Sequence, residues 1–180
     1  MSCKKTPLHV DSGTALALYE PPVPRLVGAM KFRGFDTLAS RAALEMARFA
    51  RTSSLASALD TTDAVTWIPS TRARNRKRGF DPAELLAAGL ARRFRLPVLA
   101  LLDRTRAVAP QSTLPAARRR VNMNGVFSAR RGARDLSLLL VDDVVTTGAT
   151  VAAAAGALRD AGVHRIHLFA FARTPEPEVQ

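Results

Sequence analysis

The stretch LLLVDDVVTTGAT, residues 138–150, constrains the fold more than any other part of this 180-residue chain. The near-continuous apolar run 136–141 is typical of a strand that is buried on both faces, as in a parallel sheet. The alanine-rich run 149–161 predicts a helix that Gly162 ends. Residues 142–148 are therefore predicted to form the loop at the carboxyl end of a parallel strand, which is where open α/β sheets bind their ligands.

Short apolar runs and helix-like segments alternate along the rest of the chain. The predicted strands are 14–19, 64–68, 98–102, 136–141 and 166–171, and the predicted helices are 25–31, 38–51, 82–95 and 149–161. Asp81-Pro82 is a typical helix start, with Asp as the cap and Pro in the first turn. We expect a linker at 52–62 and a loop at 70–80, while 103–124 shows no apolar periodicity. The alternation predicts an α/β fold with a central, mostly parallel sheet flanked by helices.

One folded domain is expected over residues 19–174, with a loose N-terminal segment at 1–18 and a C-terminal tail at 175–180. No apolar run is long enough to cross a membrane. The basic start MSCKK is not followed by the long apolar core of a secretory leader, so we expect a cytoplasmic protein with no membrane insertion. Cys3 is the single cysteine, and alone it can neither close an internal disulfide nor hold a structural zinc.

The positive charge of the chain, +12 overall, is concentrated in one block. Between Arg72 and Arg131 there are 15 basic residues and three acidic ones, namely Asp81, Glu84 and Asp103. Such a block attracts polyanions, among them phosphates, pyrophosphate and nucleic acid. A solvated, solubilising surface is an equally good interpretation of the charge alone.

The loop that follows the central strand combines two kinds of chemistry. The start of the next helix presents free backbone N–H groups and the positive end of its dipole, which bind anions. A phosphate there is predicted to contact Thr146, Thr147, Gly148, Ala149 and Thr150. Asp142 and Asp143 repel phosphate but accept hydrogen bonds from sugar hydroxyls, so the loop is suited to a ribose 5-phosphate. Alternatives are an Asp helix cap, an Mg²⁺ site made by adjacent carboxylates, and an ordinary turn.

These residues resemble the phosphoribosyl-pyrophosphate signature of type I phosphoribosyltransferases. Over about residues 19–174 the chain is similar to one branch of that class, the ComF family of competence-associated proteins. The shared features, in the family's order, are Lys31-Phe32 in MKFRG, the segment IPSTRARNRKRGF, Gln111, Arg119, and an Asn-x-x-x-x-Phe pattern at Asn122 to Phe127.

The resemblance implies a type I phosphoribosyltransferase-like fold that binds phosphoribosyl pyrophosphate, with Mg²⁺ held by the substrate rather than by the protein alone. Asp142 and Asp143 would bind the ribose hydroxyls, and residues 146–150 would wrap the 5-phosphate. Pyrophosphate would lie against Ser70, Thr71, Arg74 and Arg78. A mobile loop, 104–120, would close over the substrate, with Arg104, Arg106, Gln111 and Arg119 as its candidate functional residues.

Two departures from the family pattern stand out. The four-cysteine zinc element of many members is missing, since only Cys3 is present, and Asp81-Pro82 stands where Asn-Gln usually follows R-G-F. Three functions stay open: a transferase acting on an unknown acceptor, a non-catalytic binding protein of DNA uptake that contacts single-stranded DNA, and a structural partner with a relict site. Dimers are common among related proteins, so a homodimer is a further option.

Overall fold

The computed structural model describes residues 8–30, 36–104 and 125–175. Its strands are β1 (Ser12–Leu18), β2 (Ala64–Trp67), β3 (Leu102–Arg104), β4 (Phe127–Ala129), β5 (Ser137–Val145) and β6 (Arg165–Arg173). Its helices are α1 (Val23–Met30), α2 (Asp36–Thr52), α3 (Ala56–Leu59), α4 (Arg72–Arg78), α5 (Pro82–Phe94) and α6 (Ala149–Asp160).

Four strands form one parallel sheet in the order β1-β6-β5-β2. Strands β3 and β4 form a separate antiparallel pair. Because all four strands of the main sheet run in the same direction, their carboxyl ends lie along one edge. The predicted α/β fold with a parallel central sheet is confirmed.

The main sheet is covered on both faces, and β5 shows how. Leu139 and Val141 pack into a core cluster with residues of α1, α2 and α5, whereas Leu138 and Leu140 pack into a second cluster with residues of α6. This alternation follows from the period of two along a strand. Both faces of the strand are therefore apolar, which explains the near-continuous apolar run in the sequence.

Helices α2 and α5 approach each other closely at Gly89. A Cβ atom at Gly89 would lie 2.6 Å from the Cβ of Ala43, which is shorter than two carbon atoms tolerate. Glycine is therefore required there, and it allows α5 to lie against α2 on one face of the sheet.

The N-terminal part of the sheet starts earlier than expected. Strand β1 begins at Ser12 and pairs with β6 along its whole length, and the Asp11 carboxylate accepts hydrogen bonds from Ile166 N (2.8 Å) and from Arg159. The boundary between residues 18 and 19 is therefore misplaced, because residues 12–18 belong to the folded sheet. The apolar pattern missed the start, since backbone pairing at Gly13 needs no apolar side chain.

Three other elements differ from the sequence prediction. The expected loop 70–80 contains helix α4, and the linker 52–62 contains the short helix α3. Of the predicted strand 98–102, Val98 makes one isolated bridge to Val65, and the paired strand β3 begins only at Leu102. Helix α4 carries no apolar stripe, so hydrophobic periodicity could not predict it.

Among the described residues, no helix combines the length and the apolar character that crossing a membrane requires.

Candidate functional site

The two adjacent carboxylates lie at the carboxyl end of β5, but inside the strand rather than in a loop. Asp142 pairs with Ala170 of β6, and pairing continues through Val144 and Val145. The loop predicted at 142–148 is therefore shorter than expected and starts at Thr146. The strand is longer because the two residues after the carboxylates, Val144 and Val145, are β-branched and favour extended backbone.

Asp142 and Asp143 have different surroundings. Asp142 is buried, and its Oδ1 accepts a hydrogen bond of 2.9 Å from Asp143 N. Burial, reinforced by the negative charge of Asp143, raises the pKa of the Asp142 carboxyl well above that of an ordinary aspartic acid. Asp143 is only partly buried and lines a cleft, and its Oδ1 accepts a hydrogen bond of 2.8 Å from Val144 N.

The raised pKa of Asp142 predicts a pH-dependent cost to folding. The protonated form is favoured in the folded state, so its stabilisation is present at acid pH and is lost as the pH rises through the raised pKa. We expect Asp142→Asn, which keeps an oxygen acceptor, to unfold at a higher temperature than the wild type at about pH 8. The gap should close as the pH falls toward the usual Asp pKa of 3.8. Thermal unfolding of both proteins across this pH range measures the difference in unfolding temperature. A difference that does not change with pH would contradict the raised pKa of Asp142.

The segment after β5 forms the start of helix α6. Gly148 is its N-cap with φ +75°, and Thr147 Oγ1 accepts a hydrogen bond of 3.4 Å from Ala149 N. The backbone angle at Gly148 is one that glycine adopts without strain, and Leu8 Cδ2 lies 2.7 Å from where a Cβ atom would stand. The threonines Thr146 and Thr147 are exposed, while Thr150 lies in the first turn of α6. The predicted phosphate segment is thus a helix N-terminus with hydroxyl groups beside it.

The segment between β2 and α5 contains the residues predicted to contact pyrophosphate. Strand β2 ends at Trp67, which pairs with Val141, the residue before Asp142 in β5. Thr71 caps α4 by accepting a hydrogen bond of 3.4 Å from Arg74 N. Arg74 and Arg78 lie one helical turn apart on α4, which holds five basic residues and no acidic one. The fold thus presents this basic helix at the same edge of the sheet as Asp143.

Asp81 holds this segment in place. Its carboxylate accepts hydrogen bonds from Ser70 N (2.7 Å), from Asn75 Nδ2 (3.1 Å) and from Ala83 N (3.2 Å), and only 2% of the residue is exposed. The predicted cap of α5 is confirmed by the bond from Ala83. The bonds from Ser70 and Asn75 were not predicted, because they depend on how the intervening residues fold back.

We expect Asp81→Ala to destabilise the protein by about 2–4 kcal/mol, since it removes a cap and leaves buried donors without a partner. Asp81→Asn keeps one acceptor oxygen and should lose less. Urea unfolding of the two variants and the wild type gives the comparison. Equal and small losses in both variants would show that the carboxylate does not organise the segment.

A cleft of about 260 Å³ lies at the carboxyl edge of the sheet. It brings together five residues predicted from the sequence, which are Ser70, Arg74, Arg78, Asp143 and Thr146. Tyr19 and Val144 also line it and were not predicted. The other predicted binding residues adjoin the cleft in sequence but do not line it, and they are Thr71, Asp142, Thr147, Gly148, Ala149 and Thr150.

Arg104, predicted to lie in a closing loop, belongs to strand β3. Its guanidinium lies 5.1 Å from the centre of the Phe127 ring, and Nη1 donates a hydrogen bond of 3.3 Å to Pro69 O. Burial and, to a lesser degree, the positive charge of Arg74 lower the pKa of Arg104. Arg104 therefore anchors the β3–β4 pair to the segment that precedes Ser70. The other candidate loop residues, Arg106, Gln111 and Arg119, lie outside the described residues, as do Lys31 and Phe32.

The site combines a parallel sheet, two carboxylates at the end of a strand and an adjacent helix N-terminus. A comparison with protein families identifies the class, because the model of the phosphoribosyl transferase domain matches residues 79–180. The chain is 30% identical over 177 residues to DNA utilization protein YhgH of Escherichia coli O157:H7, covering 96% of this chain and 76% of that protein. It is 27% identical over 176 residues to competence protein F of Haemophilus influenzae, covering 96% and 77%. The chain belongs to the phosphoribosyltransferase family, in the ComF branch that these relatives represent, as predicted.

A solved structure similar to this chain is the glutamine phosphoribosylpyrophosphate amidotransferase from B. subtilis in complex with ADP and GMP. The sequence identity is 23% and the TM-score 0.49, and the match covers 74% of this chain and 26% of that enzyme. This chain thus matches about a quarter of the amidotransferase.

Proposed function

We propose that the cleft binds phosphoribosyl pyrophosphate together with Mg²⁺ and that the protein transfers the phosphoribosyl group to an acceptor. One observation carries the proposal. A single cleft joins a carboxylate and a hydroxyl at the end of β5 to two arginines and a serine that follow β2. A ligand that uses both sets would offer hydroxyl groups to the carboxylate and an anionic group to the arginines, and phosphoribosyl pyrophosphate carries both.

The strand order supports the fit. Strands β5 and β2 are neighbours, and Trp67 at the end of β2 pairs with Val141, the residue before Asp142, so the end of β2 lies roughly 5 Å from β5 just before the two carboxylates. A ribose over the end of β5 would therefore place its anomeric substituent near the end of β2. In this assignment residues 146–150 bind the 5-phosphate, Asp143 and Asp142 accept bonds from the ribose hydroxyls, and Ser70, Thr71, Arg74 and Arg78 bind the pyrophosphate.

The residues at the cleft fit an Mg²⁺ ion that enters with the substrate. Mg²⁺ prefers oxygen ligands and usually binds through substrate phosphates and one or two carboxylates. Asp143 lines the cleft and offers such a carboxylate. When bound, the ion would neutralise charge on the pyrophosphate.

The chain's own residues would act by positioning and by charge. In the reaction the acceptor's lone pair forms a bond to the anomeric carbon while the bond from that carbon to the pyrophosphate oxygen breaks. The pyrophosphate leaves with the electron pair, and Arg74 and Arg78 stabilise its negative charge. The carboxylates hold the ribose and stabilise the positive charge that develops on the ring. Such fixed geometry can supply much of the rate without a general base.

A second candidate is a non-catalytic role in which the ligand regulates contact with single-stranded DNA. The relatives are named for DNA utilization and competence, and Arg72, Arg76 and Lys77 of α4 are exposed. Under either proposal the protein acts in the cytoplasm, where nucleotide metabolism supplies phosphoribosyl pyrophosphate.

Release of pyrophosphate from phosphoribosyl pyrophosphate separates the two candidates. The purified protein is assayed with Mg²⁺ and with single nucleobases or ammonium as acceptors, beside Asp142→Asn with Asp143→Asn as the blank. Release that depends on an acceptor and is lost in the blank supports the transferase. Binding without release would favour the regulatory role.

For the DNA-binding candidate we expect Arg72→Ala with Arg76→Ala and Lys77→Ala to weaken binding to an oligothymidine. The slope of log affinity against log salt should fall by roughly two, since each phosphate contact on a single strand contributes about 0.7. Fluorescence anisotropy over a salt series measures it. An unchanged slope would remove α4 from any DNA contact.

A further inference from the structure

A second cavity, of about 160 Å³, adjoins the segment between β2 and α5. Helices α4 and α5 and strand β3 contribute to its walls, and on α4 it is lined by Arg72 and Asn75. The cleft instead touches α4 at Arg74 and Arg78. Residues three or four apart share one face of a helix, so each pair marks a face of α4. The helix thus borders both spaces, whose described lining residues have only Ser70 in common.

Two polar atoms of residues that line the cavity, Asn75 Oδ1 and Arg104 Nε, are buried without a hydrogen-bond partner among the described residues. The Asn75 amide nitrogen donates to the Asp81 carboxylate, which identifies the amide oxygen as the unpartnered acceptor. Arg104 donates through Nη1 to Pro69 O, so its Nε–H is a donor with no acceptor. Buried polar atoms in folded proteins nearly always have a partner. A molecule bound in the cavity could supply both, provided that it carries a donor and an acceptor.

Two opposite charges, on Glu84 and Arg72, also line the cavity. Both side chains are exposed, and neither forms a salt bridge within the part of the chain that the structure describes. Partial burial and the negative charge of Asp81 raise the pKa of the Glu84 carboxyl, so a cation beside it would be stabilising. Asp103 and Arg130, a further charged pair at the cavity, are already joined by two hydrogen bonds. The cavity thus offers a ligand one carboxylate and one guanidinium.

We propose that this cavity is a regulatory site for a small α-amino acid with an apolar side chain. The ammonium group of the ligand donates hydrogen bonds to Glu84 and to Asn75 Oδ1. Its carboxylate accepts hydrogen bonds from Arg72 and from Arg104 Nε. A zwitterion therefore satisfies both charges and both unpartnered atoms, whereas an inorganic anion or a metal ion would satisfy only half of them.

The size and the apolar wall of the cavity narrow the ligand further. A volume of about 160 Å³ holds on the order of ten water-sized atoms, which suits valine or leucine better than a nucleotide. Trp67, Pro69 and Leu102 line the cavity and give a branched aliphatic side chain apolar surface to contact.

The position of the cavity against α4 links it to the cleft. None of the residues of α4 is buried, so few apolar contacts hold this helix. The Asp81 carboxylate anchors it by accepting hydrogen bonds from Ser70 N and from Asn75 Nδ2. A ligand that fixes Asn75 would order α4 and so lower the ordering cost when Arg74 and Arg78 bind an anion. This coupling rests on the proposed function, whereas the amino-acid site does not.

Calorimetric titration of the full chain with leucine and with valine tests the site directly. We expect at least one of them to bind with a dissociation constant in roughly the millimolar range or below. Leucinamide lacks the carboxylate of leucine, and isocaproate lacks its ammonium group. Each should bind at least about tenfold more weakly than leucine, because hydrogen bonds to charged groups are the strong ones. Absence of binding by both amino acids at high millimolar concentration would overturn the site, and equal affinities for leucine and either analogue would overturn the choice of a zwitterion.

Two variants locate the bound amino acid. Glu84→Gln removes the charge that faces the ammonium group, and Arg72→Gln removes the charge that faces the carboxylate. Both side chains are exposed, so the variants should fold as the wild type does. Each should weaken amino-acid binding by roughly tenfold. Arg76→Ala is the matched control, since Arg76 lies on α4 but does not line the cavity. Wild-type affinity in both Gln variants would place the amino acid elsewhere and overturn the assignment.

Titration with phosphoribosyl pyrophosphate and Mg²⁺, in the presence and absence of the saturating amino acid, tests the regulatory role. We expect the amino acid to raise the affinity by about fivefold or more, the usual range of coupling between two sites. Glu84→Gln should bind phosphoribosyl pyrophosphate as the wild type does but lose this gain. An affinity that the amino acid leaves unchanged would overturn the regulatory role. If the wild type binds no phosphoribosyl pyrophosphate, the proposed function fails and the coupling with it, while the direct titration still decides whether the amino-acid site exists.

Discussion

Replacing both carboxylates at the end of β5, Asp142→Asn together with Asp143→Asn, will abolish the binding of phosphoribosyl pyrophosphate and leave the fold intact. A charged acceptor contributes about 1.5–3 kcal/mol to a hydrogen bond, so losing two carboxylates weakens binding more than a hundredfold. The fold should survive, because Asn keeps an oxygen that can accept the hydrogen bonds now donated by Asp143 N and Val144 N.

The single variants refine this prediction. Asp143 lines the cleft while Asp142 is buried beside it, so Asp143→Asn should lose more affinity than Asp142→Asn. Asp160→Asn is the matched control, since Asp160 is exposed at the far end of α6. Titration calorimetry measures affinity and thermal unfolding checks the fold. Wild-type affinity in the double variant would sink the assignment of the ribose site.

Replacing two arginines of α4, Arg74→Ala together with Arg78→Ala, will weaken the binding of phosphoribosyl pyrophosphate far more than the binding of ribose 5-phosphate. Both arginines line the cleft on the side of β2, and the two ligands differ only by the pyrophosphate. Charge-assisted bonds to phosphate are about twice as strong as neutral ones. We expect a loss on the order of a hundredfold for the larger ligand and a few-fold change for the smaller.

A control on the same helix excludes a general effect of charge. Arg76→Ala removes one positive charge from α4, and Arg76 is exposed and does not line the cleft. This variant should bind both ligands almost as the wild type does. If the variant that lacks Arg74 and Arg78 lost affinity for the two ligands by equal factors, the segment after β2 would not be a pyrophosphate site.

The central elements of the fold could be predicted because contiguous stretches of the sequence carry the apolar patterns that determine them. The apolar run of β5 and the alanine-rich α6 follow from the burial of a two-sided strand and of a helix face, and the motif between them is contiguous in sequence. The start of strand β1 and the whole of helix α4 were missed for the opposite reason. Their pairing and capping involve few apolar side chains, so their sequences carry little periodic signal.

The candidate site was predicted where its residues are contiguous and missed where they are not. Tyr19 reaches the cleft only through the strand order, which places the start of the chain beside β6. The bond between Asp81 and Ser70 spans 11 residues and depends on the conformation of α4. Arg104 shows the same limit, since its pairing in β3 fixes it against Phe127. The roles of Arg106, Gln111 and Arg119, and a homodimer, stay predictions.

Calorimetric titration of the purified protein with phosphoribosyl pyrophosphate and Mg²⁺ tests the central claim most directly. Two carboxylates, a helix N-terminus and two arginines acting together predict saturable binding with a dissociation constant in roughly the micromolar range. Omitting Mg²⁺ should weaken it. Absence of binding at millimolar ligand, with and without Mg²⁺, would contradict the account and leave the basic surface of α4 as the functional part of the molecule.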